Sequence, residues 1–467
     1  MVEIIFPFLF VLYLGILLFI GWRSRSSNSN EDFFLASRSL SHRSVAFTMG
    51  ATVVGGSAVI VTGSLVFSHG VAGLWYDLGG IAGLLILGIF IAPRIRKMRA
   101  RSLPDLLGMG FGRPAQVVSS ILLVLVEIGW VALLMQATRY ILSEAVGLSS
   151  HVALVLSAAV FISYTFIGGQ RAVVRTDRLQ MLLALGALTA VLIGLVMKGA
   201  RFQSSTMQFP FNGPLTLSAV IAAFLVMLLS HVVGPDVYSK VLSARSAKDA
   251  RRGVLGGALF KVLSSLLVGS VALLGISIYG NSIAGGELFP TAARDTLPPI
   301  LFSIAMLGFV SVMLSSADSC LISGATFLSW DLPGKRTFRS SRYLAVISMG
   351  VVSYLVAFHS SGIMETLTFS YTLFSAGMVP AVLFSPWKVR MRLKTAGALA
   401  SFFIGGGGVI FLQILSKMGI WSGSLLYIPL TLSLISLPLV SWSIPVFGRI
   451  PGIVRRSMKE RRSAPHK

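Results

Sequence analysis

Residues 313–331 read MLSSADSCLISGATFLSWD. The stretch is apolar enough for lipid, yet Ser315, Ser316, Asp318 and Ser319 crowd together in it. Hydroxyls and a carboxylate are costly in hydrocarbon unless something there needs them. On a helix, Ser315, Asp318 and Ser319 share a face by i, i+3, i+4 spacing, with Ser316 one step round. Such hard oxygen ligands suit a weakly held monovalent cation better than a transition metal. The other reading is close helix packing by small residues, with serines bonding back to carbonyls. The rest of the chain has to choose.

Of 467 residues, 55% are hydrophobic and 12% charged, whereas soluble proteins carry about 25% charged residues. Apolar runs recur from end to end, many reaching the roughly 20 residues that span a bilayer. The fold class is therefore an all-α polytopic membrane protein. The expected spans are 2–22, 44–68, 73–93, 115–143, 151–168, 177–197, 215–239, 253–280, 297–329, 343–359, 363–386, 395–416 and 424–446, thirteen in all. Cys320 is the only cysteine, so no intrachain disulfide or cysteine metal cluster can form. The run Val2–Gly21 lacks a basic flank and an A-x-A cleavage site, and reads as a retained helix rather than a signal peptide.

A net charge of +23 would suggest nucleic acid in a soluble chain. Here 33 of the 39 Lys and Arg fall on alternate connections, counting the loop 240–252 and the tail 447–467. Basic residues in short loops orient membrane helices, which puts the amino terminus outside and the carboxyl terminus in the cytoplasm of a cell membrane. The tail RRSMKERRSAPHK (455–467) is a candidate for contact with anionic lipid headgroups, or a solvated stop-transfer tail. No G-x-x-x-x-G-K-[ST] and no separate soluble domain are present, against a nucleotide-driven pump. No H-E-x-x-H or G-x-S-x-G supports an intramembrane enzyme.

Asp77, Glu127, Asp177, Asp318 and Lys261 fall within spans or at their edges, and intramembrane charges are functional candidates by default. Asp177 sits beside Arg175 and Arg178 and can be an interfacial charge; Glu127 has no partner near in sequence. Two spans look broken. The first reads GATVVGGSAVIVTGS (50–64), with Gly55 and Gly56 adjacent; the other reads SHVVGPDVYSK (230–240), where Gly234-Pro235 interrupts a helix. Broken helices at depth are tolerated where they line a cavity, and their freed carbonyls can coordinate Na⁺. Their separation by five spans is the pattern of an inverted five-helix repeat.

Several stretches resemble the sodium:solute symporter family, the group containing sodium–glucose, sodium–proline, pantothenate and sialic acid transporters. They are EDFFLASRSLS (31–41), ARSLPDLLGMGFGR (100–113), YTFIGGQRAVVRTDRLQ (164–180), VLSARSAKDARRG (241–253) and SSADSCLISGATFLSWDL (315–332), with AGMVPAVLFSPWK (376–388) and GALASFFIGG (397–406) continuing the match. The resemblance implies a LeuT-like fold: an extra N-terminal helix at 2–22, a first inverted repeat at 44–197, a second at 215–386 and two C-terminal helices at 395–446. It implies a Na⁺ site formed by the carbonyls of Ala51, Val54 and Val312 and the hydroxyls of Ser315 and Ser316. A second cation, held in some members, would map to Asp177, Ser315, Asp318 and Ser319, where this chain departs by supplying the carboxylate of Asp318. For substrate it implies Asp77 and Lys261.

Gly55, Gly56, Glu127, His231 and Asp236 complete the candidates for a solute site. SHVVGPDVY replaces the usual W-G-x-x-Q pattern, so the resemblance leaves amino acid, monocarboxylate, vitamin and sugar open. The implied function is Na⁺-coupled uptake of a small organic solute by alternating access. A proton-coupled or uncoupled carrier, or a sensor on the same scaffold, are the alternatives.

Overall fold

Backbone amides cannot stay unpaired in hydrocarbon, so helices are the local structure open to these apolar runs. The computed structural model describes residues 2–24, 29–212, 215–280, 282–334, 339–360, 363–385 and 391–443. α1 (Val2–Arg23) precedes a short α2 (Asn30–Leu35), capped by the Ser29 hydroxyl on the Asp32 N–H at 3.1 Å. α3 (His42–Val53) stops at Val54–Gly55, and the chain resumes in wide turns over Ser57–Thr62 and α4 (Gly63–His69). α5 (Trp75–Ile86) runs through wide turns into α6 (Ala92–Met98). α7 (Leu103–Phe111) leads to α8 (Arg113–Val146).

α9 (Ser150–Met197) counts 48 residues but is not one rod. Gly169 within it has φ 60° and ψ −170°, a conformation essentially confined to glycine. Tyr164 and Thr176 hydrogen-bond through their hydroxyls across this point. Twelve residues of straight helix would hold them about 18 Å apart. The chain therefore doubles back at Gly169, separating the spans expected at 151–168 and 177–197.

α10 (Leu217–Val233) and α11 (Pro235–Ser243) flank the second break. Pro235 cannot donate to the preceding turn, and Gly234 before it takes the extended ψ of 130° that proline favours. α12 (Ala247–Tyr279), α13 (Leu288–Thr296), α14 (Pro299–Thr326), α15 (Arg339–His359) and α16 (Ile363–Phe384) follow. α17 (Thr395–Phe402), α18 (Gly408–Lys417) and α19 (Tyr427–Ser443) end the described chain. Among the described residues, nine helices are long and apolar enough to cross a membrane, and two shorter apolar ones accompany them. This is fewer than the thirteen expected spans. α3 is too short to count before its break, the break runs its second half on with α5, and the Gly169 reversal hides a further boundary.

Packing divides the helices. α3 lies along α12, and α5 along α10; α14 packs into α8 and α9. In the most apolar window of the α14 segment 83% of residues are buried, against 28% for α1. Residues 305–327, which include the serine-rich part of the stretch quoted at the outset, are all buried within the protein, which removes the objection to its polar residues. At one end of the molecule, Leu40 N–H donates to Ser243 C=O (3.1 Å) and Arg245 N–H to Leu40 C=O (2.9 Å). This isolated bridge ties the entry of α3 to the exit of α11. One basic residue moves. The sequence assigns Lys240 to a loop, but α11 extends to Ser243 and buries it completely. The basic tail 447–467 lies outside the described residues.

Candidate ion and solute site

The break in α3 faces α14. The helix closes with the Val54 N–H on the Gly50 carbonyl at 2.8 Å, and a helix end leaves its last carbonyls without an intrahelical donor. Ala51 and Val54 are buried there, as are Val312, Ser315 and Ser316 on α14. Ser316 Oγ donates to the Thr52 carbonyl at 3.3 Å. A Cβ on Gly55 would run into Ser316 Oγ and reach 3.0 Å from the Thr52 carbonyl. Glycine at this point lets the two helices approach.

One turn along, α9 joins them. Ser315 Oγ donates to Asp177 Oδ1 at 2.6 Å, and Thr48 Oγ1 donates to Asp177 Oδ2. Thr165 Oγ1, before the Gly169 reversal, donates to Asp318 Oδ1 at 2.6 Å, while Asp318 Oδ2 has no hydrogen-bond partner among the described residues. Ser319 Oγ donates to the Ser315 carbonyl (3.1 Å), sits 3.2 Å from Thr52 Oγ1 and accepts from Lys240 Nζ at 2.9 Å. Asp177, Asp318, Ser319 and Lys240 are all fully buried. Hydroxyls thus gather on the two carboxylates from α3, α9 and α14, and an ammonium arrives from α11.

Beside this cluster lies a cavity between the two broken helices, α8 and α16. Thr52 and Gly56 line it at the α3 break, Ser316 and Cys320 from α14, and His231 and Asp236 from the second broken helix. Trp130 and Tyr371 face it as an aromatic pair with ring centroids 5.1 Å apart. His231 Nδ1 lies 2.9 Å from the Met227 carbonyl, and Asp236 Oδ1 accepts from the Val237 N–H at 2.8 Å.

A family model described as "Sodium:solute symporter family" matches residues 33–405. The chain belongs to the sodium:solute symporter family. The symporter is accordingly a Na⁺-coupled solute carrier and not an enzyme, with Na⁺ as co-substrate and a small organic solute as cargo. It is 25% identical over 443 residues to the high-affinity choline transporter 1 of Caenorhabditis elegans, covering 86% of this chain and 76% of that one. To the high-affinity proline transporter PutP of Bacillus subtilis (strain 168) it is 25% identical over 427 residues, covering 84% and 89%. Its fold matches the substrate-bound outward-open structure of a Na⁺-coupled sialic acid symporter with a TM-score of 0.80 at 17% identity, over 95% of this chain and 98% of that one. The architecture is the LeuT-like one expected from the sequence.

The symporter's structure sorts the solute candidates. Gly56, His231 and Asp236 line the cavity. Asp77 and Lys261 do not: Lys261 Nζ donates to Asp77 Oδ1 at 2.6 Å, and Ser265 Oγ donates to Asp77 Oδ2 at 2.5 Å. The pair is fully buried between α5 and α12, each charge answering the other. Glu127 is buried on α8 beside Cys320, behind the cavity wall. The sequence reading missed Thr48, Thr52, Thr165 and Lys240. The i, i+4 spacing of Thr48 with Thr52, and of Asp236 with Lys240, was the available signal that each pair shares a helix face.

Proposed function

We propose that the symporter binds its Na⁺ where α3 breaks against α14, through the carbonyls of Ala51, Val54 and Val312 and the hydroxyls of Ser315 and Ser316. The observation that carries this is the end of α3 at Val54–Gly55, its released carbonyls set against two buried serines of α14. An all-oxygen, largely neutral ligand set suits a monovalent cation that must be released each cycle. The solute sits next to it in the cavity under Trp130 and Tyr371. Aromatic faces attract cations, and Asp236 adds a carboxylate at the same cavity. Both features favour a small solute carrying a positively charged nitrogen, a property shared by the named cargoes of the choline and proline transporters above.

The Lys and Arg bias, intact when Lys240 is set aside, favours a cell-membrane carrier with its amino terminus outside and its carboxyl terminus cytoplasmic. Na⁺ and solute enter from outside, the break closes over both, and the helices rock to open inward. An inside-negative potential drives the ion with roughly 2.3 kcal/mol per charge per 100 mV. Linkage requires that Na⁺ and solute raise each other's affinity by the same factor. A thermal-shift screen of the purified symporter tests the placement, with amino acids, quaternary amines, monocarboxylates, vitamins and sugars in Na⁺ and in K⁺. A cationic solute that stabilises only in Na⁺, and not in Ser316→Ala, is expected. Equal stabilisation by solute in Ser316→Ala would refute this location for the ion.

A further inference from the structure

One turn beyond the α3–α14 junction, hydroxyls from three helices converge on Asp177 and Asp318, and among the described residues Asp318 Oδ2 alone of the four carboxylate oxygens has no hydrogen-bond partner. Ser315 and Thr48 spend their hydroxyls on Asp177, Thr165 spends its own on Asp318, and Ser319 bonds the Ser315 carbonyl. Into this ring α11 inserts Lys240, completely buried, with Nζ 2.9 Å from Ser319 Oγ. Its direct contact is that hydroxyl; Asp177 on α9, Asp318 on α14 and Asp236 on its own helix are the surrounding carboxylates, none within 4.0 Å of Nζ among the described residues. A buried ammonium is tolerated where carboxylates balance it. Two buried carboxylates in one cluster are relieved by a shared proton or by a positive charge.

We propose that the Lys240 ammonium is a tethered cation filling the second ion position of the symporter, so that each cycle takes up one Na⁺ and not two. A side chain of the protein then does permanently what a second free ion would do transiently, holding α9, α11 and α14 together. The price in transport is one charge fewer drawn down the membrane potential per solute. The inference rests on the placement of the first Na⁺ at the α3–α14 junction.

Direct binding of radioactive Na⁺ to the purified full chain in lipid nanodiscs tests it. Wild type is expected to saturate at one ion per chain with a Hill slope near one, and Lys240→Arg to do the same. Lys240→Met is expected to bind two ions with a Hill slope rising toward two. Lys240→Gln, which retains a hydrogen bond to Ser319, is expected to behave likewise and covers the case where the methionine variant does not fold. Two ions bound by wild type, or one by Lys240→Met and Lys240→Gln alike, would overturn the tethered cation while leaving the first site standing. Saturable binding that persists unchanged in Ser316→Ala would overturn the first site itself, and the inference with it.

Discussion

Replacing Asp77 with alanine strands the Lys261 ammonium inside the helix bundle. The two side chains are 1% and 0% exposed and bond at 2.6 Å, so the ammonium loses the carboxylate that balances it away from bulk solvent. Removing one partner of a buried ion pair costs about 3–5 kcal/mol, which multiplies the unfolding constant by about 150 to 4,000. The double variant Asp77→Leu/Lys261→Met removes both charges and keeps the branching of one side chain and the length of the other, a change often neutral for buried pairs. Ser265 is not orphaned in either case, because its hydroxyl also reaches the Lys261 carbonyl at 2.8 Å. Equilibrium unfolding in mixed micelles, followed by tryptophan fluorescence, gives the free energies of wild type, Asp77→Ala and the double variant. The single variant should be markedly less stable than the double. If single and double lose the same stability, the pair does not brace α5 to α12. If the single variant instead keeps its stability and loses solute-dependent stabilisation, Asp77 and Lys261 face the solute.

Gly55→Ala should weaken Na⁺ binding at least about tenfold, equivalent to about 1.4 kcal/mol, because the added methyl displaces Ser316 Oγ; Na⁺-dependent thermal stabilisation reads this directly. Gly169→Ala places a Cβ 2.8 Å from Phe33 at a glycine-only conformation. It should cost about 1–3 kcal/mol of stability while leaving Na⁺ affinity unchanged in the folded fraction. Cys320, the only cysteine, lines the cavity. Its labelling by a small methanethiosulfonate should fall when solute and Na⁺ are present together, and unchanged labelling would remove the solute from this cavity.

The membrane class, the helix breaks and the shared polar face of α14 were legible because each rests on local chemistry. Gly234-Pro235 must interrupt a helix, and serines at i and i+4 must share a face. Long-range pairing was not legible. Asp77 and Lys261 each look like a lone intramembrane charge until α5 and α12 are placed side by side. Lys240 was hidden for a different reason. A lysine a few residues past a proline and ahead of a basic run looks like the start of a cytoplasmic loop, and only the docking of α11 against α14 turns it inward. Asp177 shows the middle case. Its basic neighbours in sequence suggested an interface, yet Thr48 and Ser315 claim its carboxylate inside the protein.

The small bridge between Leu40 and residues 243–245 consists of main-chain atoms alone. A joint of this kind has no side chain to mutate. Substitution at positions 40 and 245 should, beyond the loss of Leu40 burial and of the Arg245–Asp249 pair, carry an added penalty at proline, the one residue that lacks the N–H each position contributes. Through that joint two hydrogen bonds fasten the entry of α3 to the exit of α11. The side chain of Arg96 reaches the same segment and donates to the Ala244 carbonyl, so Arg96 is the position where substitution can loosen this end of the carrier without touching the bridge itself.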